Sequence, residues 1–188
     1  MSRIGKKPIE IIDGVEAKVS GHEISIKGPK GELSFVVEPE IKIEINDKNI
    51  LVFPKSLEKN KQGRISKRES ALWGLSRALI SNMMNGVKNG YEKKLEIEGV
   101  GFRAEVEGKN LSLKIGFTHL VKIEAPKGIE FKVEKNVIIV SGVDKQKVGE
   151  IAAKIRKAKP AEPYKGKGIK YAGEIIRRKA GKKAITSK

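Results

Sequence analysis

Slid against itself by 87 residues, this sequence matches its own first half. Ala17, Val19, Gly21, Ile24, Ser25, Ile26 and Lys27 fall on Ala104, Val106, Gly108, Leu111, Ser112, Leu113 and Lys114. Pro39 then falls on Pro126, and Ile41, Ile43 and Ile45 fall on Ile129, Phe131 and Val133 after a one-residue slip. Asn49 to Phe53 lies over Asn136 to Val140. Shared strand periodicity would reproduce the apolar alternation, but not glycine, serine, lysine, proline and asparagine in the same order. The chain is therefore read as an internal duplication, which obliges it to fold as two similar units.

Each copy reads as several short strands followed by one helix. Val15/Ala17/Val19, Ile24/Ile26, Leu33/Phe35/Val37 and Ile41/Ile43/Ile45 alternate with period two, as half-buried strands do. Gly28 to Gly31 places turn residues between two such runs, the mark of a hairpin. The first helix is expected to open at Ser66, with Glu69 completing a capping box. Its apolar stripe is expected at Ala71, Leu72, Leu75 and Leu79. In the second copy Asp144 stands ready to cap, and Val148, Ile151, Ala152 and Ile155 form the stripe. Strands first and helix last imply antiparallel sheet packed against one helix in each unit, an α+β fold. Breaker residues across 82–90 suggest a join, with the first domain at 1–81 and the second at 91–188. The copies differ in a polar loop at 54–65 of the first and a basic extension after the helix of the second.

That extension carries most of the charge. The formal net charge is +17, and the segment from Lys154 to Lys188 holds thirteen lysines and arginines against two acids, a net of +11. Repulsion of this size calls for a polyanion, and its confinement to the last fifth of the chain marks a localised footprint. An anionic membrane is the weaker candidate, because no run approaches the roughly 18 apolar residues of a spanning helix. Met1 to Pro8 lacks the apolar core of a secretory signal. Without cysteine there is no disulfide, thiolate nucleophile or cysteine-ligated zinc. A cytoplasmic home is the simplest reading.

Within the extension, Pro160 and Pro163 stop the helix and stiffen the chain. Gly166 and Gly168 are read as allowing close backbone approach to a phosphate, with Lys165, Lys167 and Lys170 supplying charge. Tyr164 and Tyr171 either stack on an unpaired base or pack on the domain. Glu174 to Lys183 reads as a short helix or extended arm bearing Arg177, Arg178, Lys179, Lys182 and Lys183. The two arginines rank first, since a guanidinium forks two hydrogen bonds to one phosphate. Arg3, Lys6 and Lys7 form a smaller basic cluster that serves either as an RNA contact or as a solvated end. Removing residues 160–188 is expected to remove most binding while 1–158 stays folded.

No catalytic constellation emerges. His22 and His119 lack metal-ligand spacing, so no metal, cofactor or small-molecule substrate is implied. Glu96 and Glu98 alternate along a strand and read as its solvated face; Trp73 reads as core. Gly99 to Arg103 lacks the third glycine of a dinucleotide loop and reads as tight strand packing.

The chain resembles the bacterial-type large-subunit ribosomal protein L-six family along essentially its whole length. The resemblance rests on Ser2 to Ile9, on the stretch from Asn82 through Gly90-Tyr91 to Gly99-Val-Gly-Phe-Arg-Ala104, and above all on Glu162 to Tyr171. Ala161 departs from the family, which often has a second proline there. The resemblance implies two tandem α+β domains and a structural role in the ribosome. It also implies binding of large-subunit rRNA, mainly by the C-terminal domain, near the sarcin-ricin region, the stalk base and the factor-binding site. Neighbouring ribosomal proteins near the stalk base are implied as further partners. The positions carried over from the family are Tyr164, Lys165, Gly166, Lys167, Gly168 and Lys170. Two rival readings are a DNA-architectural protein and a protein-interaction scaffold using the first domain's sheet or the 54–65 loop.

Overall fold

A computed structural model describes residues 3–46, 48–59 and 65–181. The chain forms two compact units, Met1–Gly90 with Val143–Lys145 and Tyr91–Gly142 with Gln146–Lys188. In the first unit the strands divide between two antiparallel sheets. One holds β2 (Glu16–Ser20), β3 (Glu23–Gly28) and β4 (Gly31–Val36) in sequence order; the other is ordered β1 (Ile9–Glu10), β6 (Asn49–Pro54), β5 (Ile41–Asn46). The β3–β4 hairpin closes with Gly28 opposite Gly31, as its turn residues require. A short α1 (Ser56–Lys59) lies in the expected polar loop, and the long α2 (Lys67–Asn89) follows.

The second unit repeats this plan and adds a strand. Strands β8 (Arg103–Glu107), β9 (Asn110–Lys114) and β10 (Val121–Glu124) form one sheet. The other is ordered β11 (Ile129–Glu134), β12 (Val137–Gly142), β7 (Tyr91–Glu98), β13 (Gly168–Tyr171), with α3 (Lys145–Ala158) between β12 and β13 in sequence. Ile50 and Val52 are buried on β6, and Ile138 and Val140 are buried on β12. The equivalent positions are thus 88 apart: the one-residue slip at Ile41 persists, and the expected match of Asn49 with Asn136 is one residue out. On a strand that error exchanges the buried and solvent faces, so burial decides the register.

Helix α2 departs from expectation in two ways. Its capping box is present: the Glu69 N–H donates to Ser66 Oγ at 3.1 Å, and the Ser66 N–H donates to the Glu69 carboxylate at 2.9 Å. Hydrogen bonds to the Glu69 carboxylate, that from the Ser66 backbone N–H first, hold its carboxyl below the ordinary range. The buried face, however, is Trp73, Ser76, Ile80, Met84 and Val87, whereas Leu75 is 52% exposed. The stripe is rotated because Trp73 anchors it, donating from Nε1 to the Val52 carbonyl while its ring lies where a Cβ on Gly5 would be. The helix also runs through 82–90, so the breaker residues expected to form a join lie in its last turns and end at the Gly90 C-cap. Helical propensity of isolated Asn and Gly is a weak signal, and burial of Met84 and Val87 overrides it. In α3 the expected stripe of Val148, Ile151, Ala152 and Ile155 is the buried one.

Candidate nucleic-acid interface

The segment from Pro160 to Gly181 is ordered by backbone pairing to its own unit. Residues 168–171 add an edge strand antiparallel to β7, with Ile169 opposite Ile97 and Lys170 opposite Glu96. Ile169 is fully buried and joins the core formed by Leu95, Ile97, Ile138 and Ile155. Its N–H donates to the Lys159 carbonyl at 2.8 Å, and the Ala172 N–H donates to that of Lys94 at 3.0 Å. Before the strand a tight loop closes through Glu162 N–H to Lys167 O and Gly166 N–H to Glu162 O, at 2.8 and 2.9 Å. The expected alternative of a flexible tail does not hold for this part of the chain.

The two glycines are explained by the protein's own packing. Gly168 has φ +141°, and a Cβ there would lie 2.6 Å from both Ala161 Cα and the Pro160 carbonyl oxygen. Gly166 has φ +74°, and its Cβ would come within 3.3 Å of the Arg178 guanidinium. Both are buried. They shape the loop rather than open it to a phosphate.

The cations fall into two groups. Lys170 reaches Glu98 at 2.6 Å and Glu96 at 3.4 Å, and these carboxylates, Glu98 first, push its pKa up. Its charge is met within the sheet, and the two acids read as a solvated strand face are its partners. Arg156 on α3 grips the Glu174 carboxylate through Nε at 3.0 Å and through a terminal nitrogen. Glu174 also accepts from the Tyr171 N–H at 3.0 Å. The Arg156 bond, then the Tyr171 N–H, hold the Glu174 carboxyl below its usual range, and Glu174 raises that of Arg156. Tyr171 is half-buried, with the Lys93 ammonium and the Arg156 guanidinium 6.0 and 5.6 Å from its ring centre. It packs on the domain.

The second group faces solvent. Tyr164, Lys165 and Lys167 are exposed on the tight loop, and Arg177, Arg178 and Lys179 are exposed on an extended arm. The Lys179 N–H donates to the Pro163 carbonyl at 2.9 Å, and the Arg178 guanidinium lies beside Gly166, so arm and loop form one surface. Among its described residues, 174–181, the arm contains no helix, in line with the extended alternative. Lys182 and Lys183 lie outside the described residues. Arg3, Lys6 and Lys7 are exposed in the first unit, held down by Arg77, which donates to the Lys7 and Pro8 carbonyls at 3.2 and 3.3 Å.

A family model described as Ribosomal protein L6 matches the chain twice, over residues 11–90 and 98–172. The chain belongs to the ribosomal protein L6 family. The second L6 match ends just past β13, so the edge strand lies within the matched segment. The large ribosomal subunit protein uL6 of Rhizobium rhizogenes is 52% identical over 97% of this chain and 99% of its own. That of Natranaerobius thermophilus is 53% identical over 97% and 98%, and that of Chelativorans sp. is 52% identical over 97% and 99%. The L6 family is structural and not enzymatic. Sequence reasoning missed Arg156 and Glu174, whose signal was available: an arginine on the α3 exit and the only acid of the arm.

Proposed function

We propose that this protein is a structural constituent of the large ribosomal subunit that grips large-subunit rRNA with the exposed loop and arm of its second unit. As an L6-family member it works in the ribosome, alongside rRNA and other ribosomal proteins, in the bacterial cytoplasm. The observation that carries the RNA reading is the presentation of Lys165, Lys167, Arg177, Arg178 and Lys179 on a backbone fixed by β13 and by the Arg156–Glu174 pair. Fixed cations lose little freedom when they meet phosphates, and guanidinium groups fork two bonds to each. Recognition rests on RNA shape and backbone contacts rather than on groove reading. The family resemblance supports a place near the sarcin-ricin region, the stalk base and the factor-binding site, with neighbouring ribosomal proteins there.

Crosslinking with RNA sequencing in intact ribosomes tests this. Crosslinks from 164–179 to the sarcin-ricin region are the expected result. Crosslinks confined to the first unit would overturn the assignment of the grip.

A further inference from the structure

Besides the loop and arm, the second unit exposes an aromatic pair. The chain between β9 and β10 turns at Gly116, with φ +81°. It then presents Phe117, 42% exposed, and an exposed His119. Their rings are nearly parallel, 7° apart in tilt, with centres separated by 5.7 Å. Together the two exposed rings form a small flat aromatic surface on the loop.

The pair is held in place. Phe102 lies where Gly99 would carry a Cβ, 2.5 Å from the ring, and 3.1 Å from the corresponding position on Gly116. Phe102 packs on the core, so it braces the base of the 115–120 loop against the β7–β8 turn. A braced platform requires little ordering when a partner arrives.

Its surroundings are cationic. The Lys159 ammonium sits 4.8 Å from the Phe117 ring centre. Lys159 also accepts the Ile169 N–H through its carbonyl, which places the aromatic loop beside the start of the basic segment. No acid occurs between Ile115 and Leu120. A flat π surface with a neighbouring cation suits a nucleotide, whose base stacks and whose phosphate pairs.

We propose that Phe117 and His119 form a second RNA contact, a stacking platform for an unpaired base of the strand gripped by the loop and arm, with Lys159 meeting its phosphate. This rests on the rRNA-binding reading above. Stacking on an aromatic side chain changes affinity by roughly tenfold per base, and it releases no counterions.

The test compares full-length wild type with Phe117→Leu/His119→Ala and with Phe117→Tyr, binding protein-free large-subunit rRNA transcribed in vitro. Thermal melting confirms that each variant is folded; Phe117→Tyr keeps a ring should the double variant fail to fold. The double variant should bind about tenfold more weakly with an unchanged salt slope, and Phe117→Tyr should bind like wild type. Equal binding by wild type and the double variant overturns the platform and leaves the basic grip standing. A double variant that binds RNA normally but no longer enters the subunit also overturns it, pointing to a protein contact. Failure of the wild type to bind this RNA overturns both readings.

Discussion

At the scale of single residues, three lysines of one short segment differ in what they face. Lys165, Lys167 and Lys170 look alike in sequence, yet only Lys170 is opposed across the sheet by Glu96 and Glu98. Strand register creates that difference, and register is a property of pairing partners 72 residues apart. Lys170→Gln should therefore weaken RNA binding less than Arg178→Gln, and titrating affinity against salt checks it: each phosphate-contacting arginine lost should flatten the log–log slope by about one. The glycines make a second case. Gly168→Ala, facing backbone at 2.6 Å, should lower the melting temperature sharply, whereas Gly173→Ala, with open space around it, should cost only about 1 kcal/mol for its positive φ. Glu174 adds a pH dependence. Its folded pKa lies below the ordinary one, so its stabilisation is full above the ordinary carboxylate range and fades as pH falls through the depressed value. Glu174→Gln should remove that part of the acid sensitivity, as denaturant titrations across pH would reveal.

At the scale of elements, the structure changes what a truncation means. The sequence suggested that 160–188 is an appendage, but β13 completes the sheet and Ile169 fills the core. Removing 160–188 should unfold the second unit by uncovering Leu95 and Ile97, and Ile169→Ala alone should cost about 3 kcal/mol. Removing 177–188 should leave the second unit folded while lowering RNA affinity. Calorimetry on both truncations separates the cases. The strands and α3 were readable because their apolar positions alternate cleanly or repeat at helical spacing. The face of α2 was not, because two rows of apolar residues compete along it and Ser76 and Gly86 sit on the buried one. The long-range bond from Trp73 to Val52 and the burial of Ile80, Met84 and Val87 mark which row faces the core.

For the whole molecule, duplication and charge act together. Two small units, each with its own core, carry a net +17 that is concentrated in the second. Self-repulsion weakens the free protein, and screening relieves it within a Debye length of about 8–10 Å. Free-protein stability should thus rise as salt is added from low ionic strength, while rRNA affinity falls over the same range. Melting curves and binding isotherms in one salt series would show the two trends diverging; parallel trends would argue against charge as the common cause.

The edge strand has a consequence for synthesis. Its partner β7 opens the second unit and is translated long before it, so β7 waits with one side unpaired until Tyr171 has been made. The first unit, by contrast, draws its strands and α2 from a continuous stretch and can mature while translation proceeds. The exposed cationic surface therefore comes into being late and all at once, when β13 docks and brings loop and arm with it. A nascent chain stalled before that point carries the strands and helix of the first unit but lacks the cationic surface of the second.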